Sequence, residues 1–152
     1  MKADYQEIIR RHQQNIPVHI VPMANELGVS VFKNREFPDN LSGLIMKEDD
    51  GAYSIHVNGN HAITRQRFTM AHELAHFLLH KDDIGNGIKD DFLYRSGLSS
   101  RKEREANKLA AKLLMPEDLL KNEENAELTI SEQADKFWVS HTTMDIRLGE
   151  IL

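Results

Sequence analysis

The segment from Arg65 to His80, RQRFTMAHELAHFLLH, constrains this chain most, because it combines an apolar helical side with two histidines and a glutamate. Residues four apart on an α-helix lie one above the other, so His72 and His76 can present two imidazole nitrogens to one metal ion. Glu73 lies one step round the helix, where its carboxylate can take a proton from a water at the open position of the metal. The pattern HExxH therefore predicts a metal site of the kind found in zinc peptidases.

The alternative interpretation is an ordinary helix that carries two histidines and a glutamate by chance. The segment has an apolar side, which consists of Phe68, Ala71, Ala75, Leu78 and Leu79. This pattern predicts a buried helix. Two histidines and a glutamate are poor core residues without partners, so the context favours the metal site.

Length and composition indicate an ordinary globular protein. The 152 residues are 40% hydrophobic and 28% charged, which suits one compact domain with a small appendage. The net charge of −5 gives no sign of a general nucleic-acid binder, and the absence of cysteine excludes disulfides and thiolate metal sites. The N-terminus lacks the apolar core of a signal peptide, and no stretch approaches the length of a membrane span. We therefore expect a cytoplasmic protein without membrane contact.

The N-terminal part of the chain predicts two helices and a small sheet. Helices are expected over residues 4–14 and 21–27, followed by a β-branched strand over 29–32. Residues 41–46 and 52–57 flank an acidic turn that closes on glycine, which indicates a hairpin. Together these segments predict a three-stranded antiparallel sheet.

The remainder predicts a loop and then helices. Residues 81–97 are polar, contain glycine and lack periodicity, so we expect a loop over or beside the active-site cleft. Helices are expected over 99–115 and 116–121. Residues 129–148 predict two short helices around a turn at 138–140, with Ser140 as the N-cap of the second.

The expected fold class is therefore α+β: a mainly helical, zincin-like domain with a small three-stranded antiparallel sheet and a C-terminal helix-turn-helix-like segment. We place the metallopeptidase domain at residues 1–122. Residues 123–152 form a helical appendage that packs on it.

A catalytic zinc site takes three protein ligands, so a third must be found. The extended pattern HExxHxxGxxH is absent, because Leu79 stands at the glycine position and Asp82 at the last histidine. His80 lies one turn further along the same straight helix, where a third nitrogen would struggle to complete a tetrahedron, so we expect it at the surface or the core edge. Glu103 and Glu105, at the start of the next helix, are the better candidates.

Helical spacing favours Glu103 over Glu105 as the third ligand. Glu103 shares its helix side with small residues, which permit close approach to the motif helix. Asn107, one turn further on, could hold a ligand histidine in place through a hydrogen bond. Glu105 shares its side with Leu109 and Lys112 and suits an exposed salt bridge, but it stays open as the third ligand.

The sequence resembles the ImmA/IrrE-type zinc peptidases, a family also described as domain of unknown function 955. The resemblance is carried by Arg65–His76, by the ExEAN pattern of residues 103–107, and by AAKLLMP at residues 110–116. HExxH joined to ExEAN and LLMP is a specific combination. Ala75 stands where the family usually has glycine, and a second small residue preserves close packing.

The resemblance implies zinc as cofactor, with His72, His76 and Glu103 as ligands and Glu73 as general base. It also implies a site-specific endopeptidase that cleaves or inactivates a helix-turn-helix repressor of the Xre or phage type, often encoded beside it in a mobile element. The alternative is a toxin or regulatory component of a two-gene module, which binds its helix-turn-helix partner without proteolysis.

Charge argues against direct DNA binding by the C-terminal segment. Residues 117–152 carry nine acidic side chains against Lys121, Lys136 and Arg147, so phosphate contacts would be repelled. We expect this segment to pack on the domain or to dock a protein partner.

Overall fold

The structure, a computed structural model, describes residues 2–85, 88–91 and 98–151. Its elements follow in the order α1 (Ala3–His12), α2 (Ile20–Glu26), β1 (Val29–Asn34), β2 (Leu41–Lys47), β3 (Tyr53–Asn58), α3 (Ile63–Leu79), α4 (Lys81–Ile84), β4 (Ile88–Asp91), α5 (Ser100–Leu114), α6 (Glu117–Lys121), α7 (Glu123–Ala126), α8 (Ile130–Phe137) and α9 (His141–Ile151). The predicted α+β class is confirmed, since helices dominate and one small sheet accompanies them.

The sheet differs from the prediction in strand number and direction. Its order is β1-β3-β2-β4, so it has four strands within the described residues. The hairpin is present, with Ile45 opposite Ile55 in the antiparallel pair β2–β3. β1, however, pairs in parallel with β3, with Val31 opposite Ile55. Alternating hydrophobicity marks a strand but does not identify its partner, and here the chain crosses to the far strand of the hairpin.

The segment predicted as a loop over 81–97 contains a short helix and the fourth strand. α4 follows α3 directly, and β4 pairs antiparallel with β2, with Ile88 opposite Ile45. The sequence IKDD of β4 lacks apolar alternation, and its pairing depends on backbone hydrogen bonds that composition does not reveal. Residues 86–87 and 92–97 of the predicted loop lie outside the described part of the chain.

Helix α3 carries the HExxH motif and is buried on most of its surface, between the sheet and α5. Its close approach to β2 depends on Gly43. A Cβ atom at this position would lie 2.6 Å from Cγ2 of Thr69 and 2.9 Å from the carbonyl oxygen of His56. Because real Cβ atoms do not approach backbone or side-chain atoms so closely, only glycine permits this packing.

The C-terminal helices α8 and α9 surround a turn at residues 138–140, as predicted. The Thr129 hydroxyl accepts a hydrogen bond from the Glu132 amide, and the Glu132 carboxylate accepts one from the Thr129 amide, so α8 begins with a capping box. The Ser140 hydroxyl accepts from the Thr143 amide at 3.1 Å, which confirms Ser140 as a capping residue.

Two buried arginines connect this segment to the rest of the chain. Arg67 of α3 donates to the carbonyl oxygens of Trp138 and Val18, and its guanidinium lies 5.1 Å from the Trp138 ring centre. Arg147 of α9 donates from Nε to the carbonyl oxygen of Met115 at 3.0 Å. Phe137 belongs to the same hydrophobic core as α3. The division into domains at residue 122 stays a prediction.

Candidate metal centre

Three side chains converge where α3 meets α5. His72 Nε2 lies 3.1 Å from His76 Nε2. Oε2 of Glu103 lies 3.2 Å from His72 Nε2, and Oε1 of Glu103 lies 3.3 Å from His76 Nε2. Both histidines are buried, whereas the Glu103 side chain is 27% exposed. Donor atoms from these three residues all lie within 4.8 Å of one another, so the group has the composition and spacing to hold a metal ion.

The spacing of the donor atoms matches what a tetrahedral ion requires. With metal–nitrogen and metal–oxygen distances of about 2.0–2.1 Å, the edge of a coordination tetrahedron is about 3.3–3.4 Å. The nitrogen–nitrogen distance of 3.1 Å is close to this edge length, and each of the two nitrogens has a different oxygen of Glu103 near it, Oε2 at 3.2 Å from His72 and Oε1 at 3.3 Å from His76. Two imidazoles and one carboxylate also form a donor set that zinc uses. The residues present therefore fit a small divalent cation.

Local sequence explains why the three side chains meet. His72 and His76 are four residues apart on α3, and this spacing places their rings on one side of the helix, with ring centres 4.7 Å apart. On α5, Ala106 and Ala110 are completely buried, as the prediction of small residues beside Glu103 required. Small side chains at this interface permit the two helices to approach closely.

The helices α3 and α5 run antiparallel. Asp83, just beyond the end of α3, forms an ion pair of 2.6 Å with Lys102 near the start of α5. Phe68, earlier on α3, lines the same groove as Asn107 and Ala111, which come later on α5. Consequently, moving towards the N-terminus of α3 corresponds to moving towards the C-terminus of α5.

Glu73, the predicted general base, follows His72 directly on α3 and is completely buried. An ionised carboxylate is costly to remove from water unless nearby positive charge or hydrogen bonds compensate. A cation held by the neighbouring histidines would supply such charge. The assignment of Glu73 as base stays a prediction.

His80 occupies a position that the sequence interpretation only half anticipated. It ends α3, and instead of lying at the surface it is buried, with Nδ1 3.0 Å from Nδ1 of His76. Its other nitrogen, Nε2, lies 3.6 Å from Oε1 of Glu105. Burial is the main cause that lowers the pKa of His80, and the neighbouring His76 adds to it. The signal was present in the sequence, since His80 follows His76 by the same four residues that separate His76 from His72.

The contact between His76 and His80 bears on metal binding. A histidine that binds a cation through Nε2 carries its proton on Nδ1, and that N–H needs an acceptor when it is buried. Nδ1 of His80 lies where such an acceptor is required. Glu105 thus contacts His80, whereas Glu103 lies beside both motif histidines.

Asn107 is exposed and lines a surface groove with Phe68. In the part of the chain that the structure describes, it makes no hydrogen bond with His72 or His76. The reason is the antiparallel packing of α3 and α5. Asn107, one turn after Glu103, lies beside Phe68 and away from His76. Its role in holding a ligand histidine stays a prediction, without a contact to support it.

These observations define a class of protein: an α+β domain in which an HExxH helix and a glutamate from the following long helix bring together three side chains that could hold a metal ion. The family profile Peptidase_M78, described as IrrE N-terminal-like domain, matches residues 12–149. The chain therefore belongs to this family, and the resemblance found in the sequence is confirmed.

A solved structure agrees with the fold. The chain is similar to a structure described as a Mycobacterium tuberculosis transcriptional regulator, with a TM-score of 0.60 and 18% sequence identity. The match covers 97% of this chain and 47% of the other, so this chain spans about half of the length of that protein. No curated protein matches the sequence at a significant level. Among the described residues, no helix combines the length and apolar composition needed to cross a membrane.

Proposed function

We propose that this protein is a zinc-dependent, site-specific endopeptidase of the cytoplasm that cleaves and thereby inactivates a helix-turn-helix repressor. The observation that carries the proposal is the convergence of donor atoms from His72, His76 and Glu103, all within 4.8 Å of one another, with Glu73 next to His72. A structural metal site has no need of a neighbouring carboxylate base, so the presence of Glu73 favours an enzyme.

The residues divide the work of peptide hydrolysis. His72 and His76 would hold the cation through Nε2 and Glu103 through its carboxylate, while His80 would hold His76 through Nδ1. When bound, the cation acts as a Lewis acid, which polarises the peptide carbonyl and increases the acidity of water. Glu73 takes a proton from the attacking water while the oxygen of that water forms a bond to the carbonyl carbon. Glu73 then passes that proton to the leaving nitrogen as the C–N bond breaks.

Three observations support a regulatory protein as the substrate. The matching family profile is described as IrrE N-terminal-like domain, and the similar solved structure is described as a transcriptional regulator. The acidic charge of residues 117–152 opposes direct DNA binding, so an effect on transcription would require a protein target. A helix-turn-helix repressor encoded beside this gene is the substrate to test first.

The test compares the wild type with Glu73→Gln, which keeps the shape of the side chain but removes the base. Each zinc-loaded protein is incubated with the neighbouring helix-turn-helix protein, and the products are identified by mass spectrometry. We expect a single cut by the wild type and a rate lower by about 10²–10⁴-fold in Glu73→Gln. Glu36→Gln, an exposed glutamate in the loop before β2, serves as the matched control and is expected to cut normally.

The alternative function is a toxin or regulatory component that binds its helix-turn-helix partner and does not cleave it. In that case Glu73→Gln would retain the full effect on the partner in cells, and the wild type would form a stable complex without a cut. Zinc content measured on the purified protein separates both functions from a site that holds no metal.

A further inference from the structure

A groove of about 440 Å³ lies on the surface between α3, α5 and α9. Its apolar part includes Phe68 of α3 and Ile146 of α9, and the Ile146 side chain is 60% exposed. Its rim includes Arg104 and Lys108 of α5. An exposed isoleucine beside a partly covered phenylalanine is a surface that a partner can cover.

The groove begins next to the metal-binding residues. Phe68 is one helical turn before His72, and Asn107, also in the groove, is one turn after Glu103. Since one turn rises about 5.4 Å, the groove continues the line of the metal centre along the same two helices. An extended peptide advances by about 3.3–3.6 Å per residue. A substrate with its scissile bond at the metal centre would therefore place a side chain one or two residues away in the groove.

The charges around the groove select its occupant. Arg104 and Lys108 are exposed, and neither forms an ion pair with another described residue. Arg147 and Glu150, which also line the groove, lie 3.8 Å from each other and largely offset one another. The rim is thus locally positive in a chain whose net charge is −5. A carboxylate next to an apolar side chain complements this combination.

We propose that the groove is a substrate-binding site for an extended peptide that presents an apolar side chain flanked by acidic residues. This inference rests on the proposed function and deepens it, because it assigns sequence preference to Arg104 and Lys108 and makes α9 of the C-terminal segment one wall of the site. The C-terminal segment then contributes to substrate choice.

Peptide binding tests the groove without requiring cleavage. Two fluorescent eight-residue peptides are compared, one with a central leucine between glutamates and one with the same leucine between lysines. Their affinities are measured by anisotropy with zinc-loaded Glu73→Gln, alone and combined with Arg104→Glu and Lys108→Glu. The control combines Glu73→Gln with Arg10→Glu, an exposed arginine on α1 that does not line the groove.

We expect the acidic peptide to bind Glu73→Gln at least about fivefold more tightly than the basic peptide, with the preference reduced by salt. The double charge reversal is expected to invert the preference, and Arg10→Glu to preserve it. Chemical shift changes of the Ile146 methyl groups on adding the acidic peptide would locate it in the groove.

Two results would overturn the inference: no binding of either peptide, or a preference that survives the charge reversal. The two proposals also fail differently. If the variant with Arg104→Glu and Lys108→Glu, in which Glu73 is intact, cuts the repressor with the same KM as the wild type, the peptidase stands and the groove does not. If the acidic peptide binds as expected but no repressor is cut, the groove stands and the peptidase does not.

Discussion

Removing the ring of His80 is expected to weaken zinc binding although His80 is not one of the three proposed ligands. In His80→Phe, Nδ1 of the completely buried His76 loses the group that lies 3.0 Å away. A buried N–H left without an acceptor costs about 1–3 kcal/mol. Since about 1.4 kcal/mol corresponds to a tenfold change, we expect zinc affinity to fall by about 10–100-fold, the range typical of groups that orient a metal ligand.

The cost of removing the hydrogen-bond partner of His76 Nδ1 should appear in the metal-bound protein in particular. Without zinc, His76 can carry its proton on either nitrogen, and the Nε2–H can be placed near Glu103, 3.3 Å away. With zinc on Nε2, the proton is confined to Nδ1, which lies 3.0 Å from Nδ1 of His80. The measurement is competition for zinc against a chromophoric chelator at fixed pH, with the thermal unfolding of the metal-free protein recorded for each variant.

Two further variants make the measurement decisive. In His80→Asn the amide oxygen can occupy the place of Nδ1, so we expect affinity close to that of the wild type. His141→Phe, the same substitution at an exposed histidine of α9, is expected to change nothing. Zinc affinity of His80→Phe within about twofold of the wild type would refute the orienting role, as would an equal loss in His80→Asn.

Three shorter predictions follow from other contacts. Glu105→Gln is expected to lower zinc affinity by less than about threefold in the same competition assay, because Glu105 is 47% exposed and 3.6 Å from His80. Gly43→Ala is expected to destabilise the protein by about 1–3 kcal/mol in urea unfolding, because its Cβ would clash with Thr69 and the backbone of His56. Its control, Gly149→Ala in α9, has no atom within 4 Å of the added Cβ and is expected to be neutral or stabilising by up to about 1 kcal/mol. The pKa of Glu132 lies below its ordinary value of 4.5 because the carboxylate accepts hydrogen bonds from Thr129. The carboxylate therefore stabilises α8 above pH 4.5, and this stabilisation is lost as the pH falls through the lower pKa of the folded protein. Unfolding curves of Glu132→Gln should lack this part of the acid dependence, and an acid profile equal to that of the wild type would contradict the prediction.

The parts of the fold that were predictable are those set by local pattern. The helical segments are found because apolar residues recur at helical spacing, and the hairpin because an acidic glycine turn separates two apolar runs. The parallel pairing of β1 with β3 depends on where the chain crosses in space. β4 was missed because its four residues carry no apolar alternation, and it owes its place to backbone pairing with β2.

The convergence of the three candidate metal ligands was predictable because it depends on residue spacing along the helices. His72 and His76 follow from one helical turn, and Glu103 from a helix side that small residues allow to approach α3. The burial of His80 was only half anticipated because His80 was judged only as a third metal ligand, whereas the same four-residue spacing places it beside His76. Asn107 was placed correctly on its helix, but the direction of α5 relative to α3 is not contained in either segment.

That direction connects the features of the site. From the C-terminal end of α3 to its N-terminal end, and in the opposite direction along α5, three contacts follow one another. Asp83 pairs with Lys102, the histidines lie beside Glu103, and Phe68 lines the groove. The ion pair between Asp83 and Lys102 contributes little to the stability of this alignment, because both partners are partly exposed. The completely buried Ala106 and Ala110 bring the helices close over the centre. A shift of α5 by one turn would therefore separate Glu103 from the histidines and displace the groove together with it, so the proposed metal site and the proposed peptide site depend on one packing register.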